Sequence, residues 1–297
     1  MIEWRPLELG HKALCDRYFH QYSPGISDLT FTNLYLWHFS EEIALAEQVG
    51  MLCLRISKPG TAPQYFLPLG AGDLAGRVAE LIADARANGQ AFMMRSLVAE
   101  QIPALEAALP GAFAFAPARD RYDYVYAVRD LIDLGGEKYH AKKNHLNKFT
   151  RTYDWKYLPL DTTLLNAVAQ AEIDWCEQKH CEFDEGLKGE KSGIVETLKQ
   201  FGKLDYKGGV IMIDGKVAAF TLGETLSRDT IVIHIEKADP QVPGAYAAIN
   251  QQFLEHEWPG MTWVNREEDL GIAGLRQAKL SYHPARFVEK SSATLRP

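Results

Sequence analysis

Two stretches of the chain place ionisable side chains where they could do acid–base chemistry. The run T-I-V-I-H-I-E-K-A, residues 230–238, alternates with a period of two. This pattern predicts a strand with three isoleucines on one face and His234 and Glu236 together on the other. A neighbouring imidazole and carboxylate can serve as a general base and the group that orients it. The alternative interpretation is an ion pair with a lysine or arginine across the sheet.

The second stretch, N-R-E-E-D at residues 265–269, directly follows an apolar run. Charged groups at the end of a buried strand are costly without partners, so the segment either reaches the surface or lines a cleft. In a cleft, Arg266 can pair with Glu236 or hold an anionic group through two hydrogen bonds. Asn265 can bond to exposed strand backbone, and Asp269 is predicted to cap the helix that follows.

The composition is that of an ordinary globular protein, with 46% hydrophobic and 24% charged residues and a net charge of -7. The 297 residues are enough for two domains. Four cysteines are too few for a secreted disulfide framework. Cys176, His180 and Cys181 are too few ligands for a metal site, so we expect reduced, packing cysteines and no metal. Without a signal-peptide pattern or an apolar run long enough for a transmembrane segment, the expected location is the cytoplasm.

One segment departs from the acidic balance of the chain. K-Y-H-A-K-K-N-H-L-N-K-F-T-R, residues 138–151, holds five lysines or arginines and two histidines. As a helix it would bury an apolar face and present Lys138, Lys142 and Lys143 outward. Such a face could bind a polyanion, for example tRNA or a phospholipid headgroup. A solvated linker helix is the alternative.

The order of predicted elements divides the chain into two similar halves. Each half runs helix, helix, strand hairpin, strand, helix, strand, helix, strand, which is typical of mixed α/β domains. In the second half, Asp214-Gly215 between two apolar runs predicts a tight turn with positive φ. We therefore expect an N-terminal domain over residues 1–130, a basic connecting helix over 131–152 and a C-terminal domain over 153–297.

A loop that opens a helix follows the His/Glu strand. Its backbone N–H groups could bind an anion. The loop Q-V-P-G-A-Y, residues 241–246, resembles the Q-x-x-G-x-G/A loop of GNAT acyltransferases. Gln241 and Gly244 match that pattern, whereas Tyr246 departs from it because the pattern has glycine or alanine there.

Longer motifs carry a more specific resemblance. Five motifs are similar to bacterial proteins related to the C-terminal domain of phosphatidylglycerol lysyltransferase: F-T-N-L-Y-L-W (31–37), K-Y-H-A-K-K-N-H-L-N-K-F (138–149), H-I-E-K-A (234–238), G-A-Y-A-A-I-N-Q-Q-F (244–253) and N-R-E-E-D-L-G-I-A-G-L-R-Q-A-K-L-S-Y-H-P (265–284). The resemblance implies an α/β fold with mixed sheets, built as two tandem GNAT-like acyltransferase domains. It also implies a distant relation to Fem-type transferases, which move an amino acid from aminoacyl-tRNA to an acceptor amine or hydroxyl.

The first functional hypothesis is therefore aminoacyl transfer to a lipid headgroup, a peptide or a small molecule, with no permanently bound cofactor. Glu236 or His234 would take the acceptor proton, and Tyr282 would protonate the leaving hydroxyl. Arg266 and Lys279 would face developing negative charge. The expected substrate-binding residues are Asn265, Lys279, Gln241, Gly244, Tyr246, Lys138, Lys142 and Lys143. The alternatives are an N-acyltransferase with acyl-CoA as co-substrate in place of aminoacyl-tRNA, and a non-catalytic binding module.

Overall fold

The computed structural model describes residues 2–297 and contains helices packed on two mixed β-sheets. The α-helices are α1 (Lys12–Tyr22), α2 (Phe31–Trp37), α3 (Leu74–Ala87), α4 (Ile102–Ala108), α5 (Val128–Asp133), α6 (His140–Thr152), α7 (Leu165–Gln178), α8 (Glu185–Lys199), α9 (Ala245–Glu257) and α10 (Ala273–Leu280). The strands are β1 (Arg5–Pro6), β2 (Glu42–Gln48), β3 (Met51–Ser57), β4 (Gln64–Tyr65), β5 (Leu69–Gly70), β6 (Met93–Leu97), β7 (Phe113–Pro117), β8 (Asp123–Ala127), β9 (Trp155–Pro159), β10 (Lys207–Ile213), β11 (Lys216–Thr225), β12 (Thr230–Ala238), β13 (Trp263–Asn265), β14 (Arg286–Val288) and β15 (Ser291–Leu295).

The chain forms two compact units whose limits differ from the predicted 1–130, 131–152 and 153–297. The first unit runs to Tyr122 and also includes Val288–Pro297, and the second unit is Asp123–Phe287. The difference comes from strand pairing that is distant in sequence. Strand β8 pairs with β13 in the second sheet, whereas β15 lies between β6 and β7 in the first sheet.

The first unit has the strand order β1-β2-β3-β4-β6-β15-β7, with β5 paired to β3. The apolar runs on either side of Gly50 form the antiparallel hairpin of β2 and β3. Asp28 accepts hydrogen bonds from Lys290, at 2.5 Å, and from Arg95, at 3.1 Å. Helix α2 is capped by Thr30, whose side chain accepts from the backbone N–H of Asn33. Asp28, two residues earlier, does not cap this helix, because its carboxylate is held in a buried ion cluster.

The second unit has the strand order β14-β8-β13-β12-β11-β10-β9. Strands β10 and β11 form the predicted hairpin, and the turn residues Asp214 and Gly215 have φ values of 49° and 77°. Positive φ at both positions confirms the tight turn expected for Asp-Gly. Helices α7 and α8 and helix α9 lie on opposite faces of this sheet. On the α7 side, Trp175 stacks on Phe220 with ring centroids 5.8 Å apart.

A β-bulge in β12 alters the predicted alternation of its side chains. Leu222 of β11 pairs with Ile235, but the next residue, Gly223, pairs with Ile233, which leaves His234 as the extra residue. Before the bulge, Ile233 belongs to the core that includes α9. After it, Glu236 also faces α9. The expectation that isoleucines occupy one face and His234 and Glu236 the other is therefore wrong.

Beyond the bulge, β12 separates from its parallel neighbour. The pairing of β12 with β13 covers only Thr230–Val232 and Trp263–Asn265. In the described chain, residues 233–238 of β12 therefore have no strand partner on this side. The separation opens the edge at which Glu236 of β12 and Arg266, the residue after β13, lie.

Candidate functional site

Glu236 and Arg266 form the centre of the candidate site. Arg266 Nη2 donates to Glu236 Oε1 at 2.7 Å, and Asn250 of α9 donates to Glu236 Oε2 at 2.9 Å. The Glu236 and Arg266 side chains are each 11% exposed. The predicted pairing of Arg266 with Glu236 is present, and the pair is mostly shielded from water.

Two tyrosine rings flank the guanidinium. Arg266 Cζ lies 4.7 Å from the ring centroid of Tyr282 and 5.6 Å from that of Tyr126. Burial raises the pKa of Tyr282 to about 12, although the positive charge of Arg266 acts in the opposite direction. The phenol therefore keeps its proton at neutral pH. Tyr126 donates its hydroxyl proton to the backbone carbonyl of Lys279 at 2.8 Å.

Lys142 of the basic helix α6 lies at the same place. Its Nζ is 4.1 Å from the ring centroid of Tyr282, and the same ring contacts Arg266. Burial lowers the pKa of Lys142, and the nearby Arg266 charge lowers it further, while Glu236 acts against both. These interactions place Lys142, Arg266, Glu236 and Tyr282 around one small region.

His234 is held between two carboxylates. Its Nδ1 lies 2.7 Å from Glu267 Oε1, and its Nε2 lies 2.8 Å from Glu224 Oε1. Burial lowers the pKa of His234, but the hydrogen bonds and charges of both glutamates outweigh this effect and raise it to about 9. With both ring nitrogens engaged, the geometry favours a structural role for His234 over the expected role as a base.

Asn265 and Lys279 hold the backbone of the N-R-E-E-D segment. Asn265 donates to Asp123 Oδ2 at 2.9 Å and accepts from the Glu267 backbone N–H at 2.8 Å. Lys279 Nζ donates to the carbonyls of Arg266 and Glu268 at 2.5 and 2.6 Å. Burial lowers the pKa of Lys279 to about 8. Both residues were expected to bind substrate, but the structure directs their polar atoms at the chain itself.

Asp269 binds the following helix without being its N-cap. Its carboxylate accepts from Tyr124, at 2.5 Å, from Arg276, at 2.8 and 2.7 Å, and from the Gly271 backbone N–H, at 2.9 Å. The N-cap of α10 is Ile272. The predicted cap is therefore wrong, because Asp269 contacts the helix through the Arg276 side chain and the preceding turn. Arg276 and Tyr124 hold the pKa of Asp269 below its usual range, against the effect of burial.

The loop before α9 packs closely against α6. Gly244 has a φ of 92°, and a Cβ at this position would lie 2.8 Å from Phe149 Cβ and 2.9 Å from the His145 carbonyl oxygen. Gln241 is exposed, and Tyr246 is 43% exposed. The glycine that matches the anion-binding pattern is therefore used for contact between two helices.

The other basic residues of α6 and its preceding turn differ from Lys142. Lys138 pairs with Asp130 at 3.2 Å, and Lys143 is exposed. Of the three lysines of the basic segment that were predicted to bind substrate, the structure brings only Lys142 to the Glu236 cluster. Sequence reasoning missed Asn250 and Tyr126. Asn250 occurs in an otherwise largely apolar stretch of α9, which is a signal that could have identified it.

The cysteines depart from the expected reduced set. Cys176 and Cys181 form a disulfide, with their Cα atoms 5.2 Å apart, and Cys15 and Cys53 are free and buried. The interpretation of Cys176 and Cys181 as free packing residues is therefore wrong, because the end of α7 and the next turn bring the two sulfurs together.

The two mixed sheets, with the splayed strand edge in the second, define a tandem GNAT-like fold. Within this class, the chain belongs to the family described as phosphatidylglycerol lysyltransferase, C-terminal, whose model matches residues 19–294. The resemblance seen in the sequence motifs is confirmed, and the family places the chain among acyl or aminoacyl transferases.

Solved structures show the same relationship. A conserved protein of unknown function from Bacteroides thetaiotaomicron is 35% identical, with full coverage of both chains and a TM-score of 0.90. L-PGS from Bacillus licheniformis is 15% identical, with a TM-score of 0.63. The match covers 95% of this chain and 91% of the L-PGS chain. FemX is 9% identical, with 99% and 98% coverage and a TM-score of 0.57. The last two likenesses show the fold alone.

An uncharacterized protein of Mycoplasmoides gallisepticum is 24% identical over 172 residues. The match covers 57% of this chain and 54% of that protein, so it spans about half the length of this relative. Across residues 2–297, no helix is both long enough and apolar enough to cross a bilayer.

Proposed function

We propose that the protein transfers an aminoacyl group from aminoacyl-tRNA to an amine or hydroxyl acceptor. The observation that carries this proposal is the cluster of Glu236, Arg266, Tyr282 and Lys142 at the splayed edge of the second sheet. Ligands of α/β sheets bind at such strand ends. Membership of the lysyltransferase-related family supports an aminoacyl group as the moiety transferred.

The reaction requires little covalent assistance because the aminoacyl ester is already activated. The acceptor nitrogen or oxygen forms a bond to the carbonyl carbon, and the ester C–O bond of the tRNA breaks. Glu236 takes the proton from the acceptor, and Tyr282 gives its proton to the leaving hydroxyl. Arg266 stabilises the oxyanion that forms between these two steps. The raised pKa of Tyr282 keeps this proton available at neutral pH.

The geometry of the α9 loop supports our choice of aminoacyl-tRNA over acyl-CoA as the donor. A Cβ at Gly244 would approach His145 and Phe149 of α6 within 3 Å, so α6 covers the loop that would receive a pyrophosphate. The exposed cations of α6, including Lys143, offer instead a surface for tRNA phosphates. The acceptor is a lipid headgroup, a peptide or a small molecule.

The test is transfer of label from tRNA charged with a mixture of radioactive amino acids. The purified protein is incubated with this tRNA and with either phosphatidylglycerol vesicles or the small-molecule fraction of a cell extract. We expect label in the lipid extract or in a new soluble product, and a loss of at least about 100-fold in Glu236→Gln, the low end for removal of a general base. Glu255→Gln, an exposed change on α9, is the matched control.

Two results would reject the proposal. Label transfer from radioactive acetyl-CoA, with none from tRNA, would identify an acyl-CoA enzyme. Unchanged cellular function of the Glu236→Gln, Arg266→Ala and Tyr282→Phe variants would instead identify a non-catalytic binding module.

A further inference from the structure

A small cavity lies between α7, the connector that follows it (residues 179–184), α8 and the end of β12. Its volume is about 10 Å³, which is room for roughly one water molecule. The Cys176–Cys181 bridge forms part of its wall. The polar side chains that line it are Glu172, Lys179, Glu190 and Lys237. None of these residues acts in the proposed reaction, so the cavity has no assigned role.

Glu172 is buried in this cavity, and one of its oxygen atoms is unused. The residue is 3% exposed, and its Oε1 lies 3.7 Å from Lys237 Nζ. Its Oε2 accepts no hydrogen bond from residues 2–297. Burial raises the pKa of Glu172 to about 6, and the charge of Glu190 adds to this effect, whereas Lys237 and Lys179 oppose it. At neutral pH, Glu172 is therefore a buried carboxylate that lacks a donor, which is unfavourable.

The charges around Glu172 favour an ammonium group as the missing donor. Glu172 and Glu190 are two carboxylates, and the mostly buried Lys237 pairs with both. Lys179 is exposed to solvent. One negative charge is therefore left without a buried cation, and a second ammonium group supplies both the charge and the N–H donors. Two carboxylates that already share a lysine are too few ligands for a divalent metal ion.

The connector that closes the cavity is held by the disulfide bridge. Residues 179–184 are exposed except for Cys181, whose sulfur is bonded to Cys176 of α7. In the part of the chain that the structure describes, their hydrogen bonds join only near neighbours in sequence, such as Asp184 N–H to the Cys181 carbonyl at 3.0 Å. His180 has a left-handed φ of 52°, which costs free energy in a residue other than glycine. Loss of the bridge should therefore free the connector to move.

We propose that Glu172 binds the primary ammonium group of a ligand and that the Cys176–Cys181 bridge is a redox-sensitive gate to this site. The cavity of the bridged form is too small for such a ligand, so the connector must move before one enters. This inference goes beyond the proposed function, because it concerns a second site and its regulation.

The gate opens by exchange with a dithiol reductant. One thiolate of the reductant attacks a sulfur of the bridge, and its second thiolate then closes the reductant's own disulfide. Cys176 and Cys181 gain two electrons and two protons and become thiols. Both sulfurs are buried, so the attack follows local opening of the exposed connector. Cys15 and Cys53 stay outside this exchange, because burial raises the pKa of both thiols to about 12.

The test of the site is titration of the full chain with n-butylammonium in dithiothreitol. The NMR signal of the Trp175 indole N–H reports binding, because this ring lines the cavity. Glu172→Gln should weaken binding by at least about tenfold, because a charge-assisted hydrogen bond is lost. Glu177→Gln, an exposed change on the same helix, is the matched control. Tetramethylammonium carries the charge without an N–H donor and should also bind at least about tenfold more weakly.

The test of the gate is the same titration without the reductant. Bridged wild type should bind n-butylammonium at least about tenfold more weakly than the reduced protein, because the open form is less populated. The Cys176→Ser/Cys181→Ser double variant should show the affinity of reduced wild type with or without dithiothreitol. Amide hydrogen exchange of residues 179–184 should be faster after reduction.

Three results would overturn the inference. They are equal affinity of bridged and reduced wild type, equal affinity of reduced wild type and Glu172→Gln, and no saturable binding to the reduced protein. The titration requires no acyl transfer, so its outcome is independent of the labelling assay that tests the proposed function.

Discussion

Replacing Arg266 with Met tests whether the ion pair at the splayed edge is as buried as its geometry indicates. The change keeps most of the side-chain length but leaves Glu236 as a mostly buried carboxylate without its cation. Removing one partner of a buried pair costs about 3–5 kcal/mol. The lost stacking of the guanidinium on Tyr282 adds about 1 kcal/mol. Because both charged side chains keep 11% exposure, we expect the lower end of the ion-pair range, about 3 kcal/mol, and therefore a total loss of about 4 kcal/mol.

The assay is urea unfolding at pH 7, followed by tryptophan fluorescence, with thermal unfolding as a second measurement. The loss should lower the melting temperature by roughly 10 °C, at 2–4 °C for each kcal/mol in a domain of this size. Arg228→Met, an exposed change in the same unit, should stay within about 0.5 kcal/mol of wild type.

A second substitution separates the buried charge from lost packing. In the Arg266→Met background, Glu236→Gln should restore about 1–2 kcal/mol, because the neutral amide no longer needs a cation. The glutamine can still accept the hydrogen bond that Asn250 donates to Glu236. A loss below about 1 kcal/mol for Arg266→Met, or strict additivity of the two changes, would refute the interpretation of a buried, coupled pair.

Three further outcomes are expected. Because the pKa of His234 is raised to about 9, its stabilising effect is complete below its usual pKa of 6.5 and is lost as the pH rises through 9. The free energy of unfolding, measured with urea, should therefore fall between pH 6.5 and 9. This fall should be larger in wild type than in His234→Asn by at least ~1 kcal/mol. Gly244→Ala should lower the free energy of unfolding by roughly 1–3 kcal/mol, since its Cβ would lie 2.9 Å from the His145 carbonyl and its φ is 92°; an unchanged melting curve would contradict the helix contact. Cys176→Ser should cost about 2 kcal/mol under oxidising conditions, because the bridge closes a short loop, and wild type treated with dithiothreitol should match it. Equal stability of wild type with and without the reductant would show that the bridge contributes nothing.

Much of the second unit could be predicted because its signals are local. The Asp214-Gly215 turn, the β12 segment and α9 follow from turn chemistry and apolar runs that lie within about ten residues. The link between Arg266 and Glu236 was also predictable, because a charged segment after a buried strand requires a partner. Their contact with Asn250 could not be derived, since it depends on how α9 crosses the sheet.

The errors have a common physical origin in contacts between distant residues. The bulge at His234 reverses the alternation of β12, and it is visible only in the pairing with β11. Strand β8 of the N-terminal half joins the second sheet, and β15 of the C-terminal half joins the first. Both pairings join residues more than 100 positions apart, such as Val125 with Asn265 and Ser291 with Pro117. Local sequence patterns contain no information on either.

The amino-acid sequence by itself determined the family, the helices and strands of each half, and the residue types that the splayed edge would need. Only the tertiary structure decided which of those residues meet there. It engaged both nitrogens of His234 with carboxylates, directed Lys279 and Asn265 at the backbone, and brought Lys142 to Tyr282. The physical reason is that a side chain's partners depend on three-dimensional packing, whereas local periodicity specifies only the element that carries it.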